Sequence, residues 1–156
     1  MNRVYIESTV ISYFTARPSS LIEVRAHQLI TKRWWKKAII KLVPCVSAFV
    51  LTEISKGDPA AAQKRLASVK TFTILGANSV TDNLAKTYFK KLNLPSKAWY
   101  DALHLACATL NGVEYLVTWN FTHLANAHLR HMVEDINASR DLETPVICTP
   151  EELVEV

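Results

Sequence analysis

The chain holds 156 residues, 49% of them apolar and 21% charged, and at roughly 150 residues per domain that is a single globular unit over 1–156. With only 3 glycines and 6 prolines it is neither collagen-like nor linker-rich, and it has no Gly-rich loop to cradle a nucleotide's phosphates. The formal charge of +4, from 18 Lys and Arg against 14 Asp and Glu, has the sign that attracts polyanions but does not select one.

No stretch reaches the roughly 18 continuous apolar residues of a membrane span, and the opening MNRVYIESTV lacks the apolar region of a secretory signal. A soluble, cytoplasmic protein with no membrane contact is expected. Cys45, Cys107 and Cys148 are odd in number, without CxxC spacing and in apolar contexts, which reads as buried free thiols rather than a zinc site.

Arg3 to Ile6 forms a short β-prone run, apolar enough to be buried on both faces, and ends in Glu7-Ser8-Thr9. Ser20 and Glu23 have capping-box spacing, and Ile22, Ala26, Leu29, Ile30 and Trp34 recur at helical intervals toward Ile40. Lys41 to Val46 reads as a second strand. Ser47 then caps a helix carrying Val50, Leu51, Glu53 and Ile54, which Gly57 ends. Asp58-Pro59 opens a short helix to Val69, Thr71 to Leu75 alternates like a strand, and Ser79 starts a helix that Pro95 closes. A helix from Ser96 to Leu110 stops at Asn111-Gly112, and Tyr115 to Thr118 is a strand running into Trp119-Asn120. His123 to Ser139 reads as helical, Pro145 to Cys148 as a strand, and Thr149 to Glu152 as a last helical turn.

Strands alternating with helices predict an α/β domain with a mostly parallel central sheet covered on both faces. Ligands in such sheets bind beyond the carboxyl ends of the strands, which is where Glu7 and Asn120 fall. Glu53 and Asp101 sit in apolar-rich helical segments, VLTEIS and WYDALHLACA. An inward-facing carboxylate there needs a cation, a basic partner or several hydrogen bonds, and hard oxygen ligands suit Mg²⁺ or Mn²⁺. Each residue also has a plainer reading: Glu53 and Asp101 as solvated charges, Glu7 as a helix cap or a partner of Arg17, Asn120 as an Asx-type turn.

The segments VYIESTVISYFTARPS, SAFVLTEI, YDALHLACA and YLVTWNFTHL, in that order, resemble the four motifs of the PIN domain. Within that family the chain looks most like the VapC-like toxins of toxin–antitoxin pairs. The resemblance implies a PIN-like three-layer α/β/α sandwich and a Mg²⁺-dependent endoribonuclease leaving 5′-phosphate and 3′-hydroxyl ends. It also implies a cognate antitoxin and a homodimer. Carried over by motif, Glu7, Glu53 and Asp101 become metal ligands and Asn120 a supporting catalytic group, with the hydroxyls of Thr9 and Thr118, and less directly Ser8, orienting the acids. The family usually has Asp at the positions of Glu7 and Asn120; one carboxylate fewer lowers the negative charge of the site. A catalytically weakened RNA-binding or protein-interaction module is the alternative. Asp82 matches no motif.

His104, three residues after Asp101, reads as a hydrogen-bonded structural histidine, and His123, His128 and His131 are poorly spaced for chelation. Arg17 is the nearest cation to the proposed acidic edge and the first choice for a phosphate contact. The run Lys32-Arg33-Trp34-Trp35-Lys36-Lys37 mixes cations with aromatics in the manner of a single-strand binder, or else is a solvated helix face backed by core tryptophans. Tyr13, Phe14, Phe49 and the two tryptophans are candidates for a dimer or antitoxin groove, with core packing as the alternative.

Overall fold

Val4, Tyr5 and Ile6 follow one another with no polar alternation, and all three are fully buried in the computed structural model, which describes residues 1–154. A strand buried on both faces belongs inside a sheet rather than at its edge. This strand, β1 (Arg3–Ile6), is indeed the middle one of the five parallel strands among the described residues, in the order β3-β2-β1-β4-β5. The others are β2 (Val43–Ser47), β3 (Thr73–Leu75), β4 (Tyr115–Val117) and β5 (Val146–Cys148). Among the described residues seven α-helices join them: α1 (Ser8–Thr15), α2 (Ile22–Ala38), α3 (Ala48–Ile54), α4 (Pro59–Ser68), α5 (Ser79–Lys91), α6 (Trp99–Leu110) and α7 (Ala127–Ala138). The pairings are all parallel, in keeping with the mostly parallel α/β architecture predicted.

The chain leaves β1 toward β2 and β3, then returns to pair β4 with the other side of β1, in the register Val4 to Tyr115, Tyr5 to Leu116 and Ile6 to Val117. The order of strands reverses there, so the carboxyl ends of β1 and β4 frame the crevice where open α/β sheets bind ligands. The Glu7 amide donates to the Val117 carbonyl (3.1 Å) and holds the two ends together.

Several boundaries differ from expectation for local reasons. The Ser20–Glu23 capping box does not form: α2 starts after Leu21 without a side-chain cap, and the preceding loop is tied by buried Gln28, which accepts from the Ser19 amide and donates to the Arg17 carbonyl. β2 begins two residues late and carries Pro44 opposite Val4. The segment from Ser96 opens as a 3-10 turn, with α6 beginning at Trp99. The helix expected from His123 starts only at Ala127, because Asn126 caps it through the His128 and Leu129 amides while Asn120 bonds the His123 amide in a separate turn. Thr149 and Glu152 exchange the reciprocal side-chain contacts of a capping box, yet only a turn follows.

Trp34 and Trp35 are core residues, 2% and 9% exposed, so the aromatics of the basic run face inward and offer no stacking surface. Phe14 stacks on Trp35 (4.1 Å between centroids), and Tyr13 and Phe49 also pack partly against the core. The three cysteines are buried and unpaired, as read from the sequence. Burial pushes the thiols up, to about 11 for Cys107 and about 12 for Cys148. Among the described residues no helix is long and apolar enough to cross a membrane.

Candidate functional site

Glu7 ends β1 and caps α1, a position that buries it almost completely, at 2% exposure. Its Oε2 accepts from the Thr9 amide (3.2 Å), the Thr9 hydroxyl and the Thr118 hydroxyl (2.8 Å). Each threonine oxygen in turn accepts a backbone N–H from beyond β4: Trp119 donates to Thr9 (2.9 Å) and Asn120 to Thr118 (2.9 Å). These amides occupy the hydroxyl oxygens from one side and leave the hydroxyl protons for Glu7, so both threonines act as donors to it. Trp119 is itself anchored, donating its indole N–H to Thr31 (2.7 Å) and stacking on His27 (4.1 Å).

Glu53 projects from the last turn of α3 and accepts from the Ser8 hydroxyl (2.7 Å) and from Nε2 of His104. Fully buried His104 lies on α6, with its Nδ1 2.8 Å from the Tyr5 hydroxyl, which reaches Ser47 at 2.7 Å. Ligand atoms of Glu7, Glu53 and His104 all lie within 4.8 Å of one another. Three elements, the end of β1, α3 and α6, therefore converge on one point.

Asp101, one turn before His104 on α6, stands beside this group, 3.0 Å from Nδ1 of His123. Thr9, Thr118 and Ser8, expected to orient the acids, all touch Glu7 or Glu53. Asn120 spends its side-chain oxygen on the His123 amide (2.9 Å), the Asx-type turn of its plainer reading. Arg17 is exposed in the loop after α1 and does not pair with Glu7. Lys32, Arg33, Lys36 and Lys37 lie on α2, and Arg33 and Lys37 line a shallow depression with Trp34 and Glu151. Asp82 is exposed on α5.

The charges in the crevice are not balanced by simple pairing. Burial pushes the Glu7 and Asp101 carboxyls up, against the opposing pull of His104 and of their hydrogen bonds. Burial also acts on Glu53, but the His104 hydrogen bond and charge, with Ser8 and Lys56, outweigh it and hold Glu53 below its ordinary value. Desolvation would lower His104, yet the Glu53 hydrogen bond and the charges of Glu7, Glu53 and Asp101 raise it. The acidic pocket thus favours the protonated form of this imidazole.

Spacing along the sequence gives no site role to His104 or His123. The signal for His104 is its i, i+3 offset from Asp101, which places both on one face of α6. The helical spacing expected for His123 does not exist, because this residue precedes α7. The sequence alone gives no sign of the Tyr5–Ser47 link, which spans two strands and 42 positions.

No protein-family model matches the sequence, and no curated protein matches it. Solved structures do share its architecture. A toxin–antitoxin complex from Klebsiella pneumoniae superposes with a TM-score of 0.54 at 18% identity, over 76% of this chain and 88% of that one. The VapC20 toxin of Mycobacterium tuberculosis, described as cleaving the sarcin–ricin loop, gives 0.53 at 14% identity over 76% and 91%. VapBC2 of Rickettsia felis, bound to a promoter DNA fragment, gives 0.56 at 13% identity over 94% and 98%. The chain has a PIN-like fold. In this PIN-like frame the acidic group occupies the switch-point crevice between β1 and β4.

Proposed function

We propose that this protein is a divalent-metal-dependent endoribonuclease of the toxin type, with Glu7, Glu53 and Asp101 as metal ligands. The observation that carries this reading is the convergence of Glu7 and Glu53 within 4.8 Å in a crevice whose burial disfavours both Glu7 and Asp101 as anions. Three carboxylates around one imidazole call for further positive charge, and a carboxylate ligand set fits Mg²⁺ or Mn²⁺. Glu7 directs its hydrogen-bonded oxygen Oε2 at the threonines and leaves Oε1 for a ligand.

A bound Mg²⁺ would supply an activated water and neutralise charge building on the phosphate. The protein's own contribution is positioning. Thr9 and Thr118 hold Glu7, while Ser8 and His104 hold Glu53, and His123 holds Asp101, with Asn120 fixing the His123 backbone through its amide. No side-chain nucleophile is required. Cations outside the crevice, Arg17 and the α2 set of Lys32, Arg33, Lys36 and Lys37, would offset the repulsion between acidic pocket and polyanionic RNA.

By analogy with the toxin–antitoxin complexes that share the fold, the chain would take a cognate antitoxin and form a homodimer in the cytoplasm. The alternative, a PIN-like module that binds RNA or protein without cutting, is favoured by one observation: the Asn120 side-chain oxygen is committed to a backbone amide. Incubating purified protein with single-stranded RNA in Mg²⁺, Mn²⁺ or EDTA, beside Asp101→Asn, separates the two. Metal-dependent cleavage that disappears in the variant supports the nuclease. RNA binding without cleavage in any metal supports the module.

A further inference from the structure

Ser8 and Ser12 are four residues apart on α1, so they lie on one face about 6 Å apart along the axis. Ser8 donates to Glu53, whereas Ser12 lines a cleft of about 430 Å³ between α1 and α4. The cleft therefore begins one helical turn from the acidic group, close to the spacing of successive phosphates along an extended strand. Its walls carry Thr15, Arg17, Lys64 and Arg65, with Asp58 as the lone carboxylate.

The charged residues here have distinct duties. Arg65 is fixed, donating to the Ile54 and Lys56 carbonyls at the end of α3, and Asp58 is spent capping α4 through the Ala61 amide (2.9 Å). Arg17 and Lys64 are exposed, and among the described residues neither takes part in an ion pair. A concave site with three cations, two of them free, and two hydroxyl-bearing side chains matches a phosphodiester far better than an apolar ligand.

We infer that the α1–α4 cleft is a subsite for the RNA phosphate adjacent to the one held at the acidic group, with Arg17 and Lys64 as its contacts. This rests on the ribonuclease reading for the identity of the strand. The subsite makes the enzyme selective for substrates with at least one further phosphate beyond the scissile one, and it explains how a pocket of three carboxylates retains a polyanion.

The test is fluorescence anisotropy of a labelled single-stranded RNA hexamer on Asp101→Asn protein, with Arg17→Ala/Lys64→Ala added in the test variant and Lys90→Ala/Lys91→Ala in a charge-matched control. The test variant should bind about tenfold more weakly, with a salt dependence shallower by about 0.7, because one single-strand phosphate is no longer neutralised. The control should keep the slope of the parent. Equal slopes in parent and test variant overturn the proposal, as does an equal weakening in the control or failure of the parent to bind RNA. All substituted cations are exposed, and matching thermal midpoints verify that the fold is kept. The readout needs no turnover, so an inactive wild-type protein would defeat the nuclease reading and leave this result standing on its own.

Discussion

Replacing His104 by Gln keeps an N–H donor near Glu53 and removes the basic side chain whose charged form the acidic group favours. Glu7 and Glu53 lie within 4.8 Å, and two such charges repel by about 3.5 kcal/mol at an effective dielectric of about 20. His104 sits within the same distance of both and, in its charged form, offsets a repulsion of that order. Glu53 is partly exposed, with 29% of its side chain accessible, and solvent there reduces the effect. Metal-free His104→Gln protein should therefore lose about 2–3 kcal/mol at neutral pH, part of it from exchanging a charged for a neutral hydrogen bond. Urea unfolding in EDTA and again in saturating Mg²⁺ reads both contributions. The gap between wild type and variant should narrow in Mg²⁺, because a bound ion supplies the missing charge. A variant as stable as wild type in EDTA, or a gap that Mg²⁺ leaves unchanged, refutes the view that His104 stands as the internal counter-ion.

The pH dependence of the metal-free protein follows from the same groups. Glu7 and Asp101 are raised, so each favours folding when protonated and loses that contribution as pH rises through its folded pKa; raised His104 likewise stabilises below about 6.5 and fades above. Lowered Glu53 acts oppositely, its contribution fading as pH falls below about 4.3. Thermal midpoints in EDTA should thus peak between these limits and fall toward alkaline pH, and midpoints that stay level from pH 5 to 9 would contradict this. Thr118→Val removes a hydrogen bond to the Glu7 carboxylate and should cost about 1.5–3 kcal/mol at pH 8 but less at pH 4, measured by urea unfolding at both. Trp34→Ala should cost about 3–5 kcal/mol as a core truncation; unchanged stability with abolished RNA binding would restore the stacking role that its burial denies.

The parallel α/β order is readable because short β-prone runs alternate with helical segments from β1 to β5, and β1 shows no alternation at all. Counting from Val4 places Glu7 at a strand's carboxyl end. Alternation and spacing say nothing of distant side-chain pairing, and that is where the sequence falls short. His104 reads as a core residue on the apolar face of α6, and it is one; the fold adds Glu53 from α3, 51 positions away, which turns it into a counter-ion. Asn120 and Asn126, two side chains that satisfy backbone amides, shift the start of α7 and release His123 toward Asp101. Tryptophans beside lysines on α2 resemble a binding stripe, but the roughly 100° step between neighbours in a helix sends Trp34 and Trp35 inward and Lys36 and Lys37 outward.

The nuclease proposal requires Glu7, Glu53 and Asp101 to hold one divalent ion together. Calorimetric titration of Mn²⁺ into metal-free wild type, Glu7→Gln, Glu53→Gln and Asp101→Asn tests it without reference to any substrate. Wild type should bind, and each variant should weaken binding by at least about tenfold, as expected when one ligand is removed. Equal affinity in all four proteins, or no binding by the wild type, would contradict the claim.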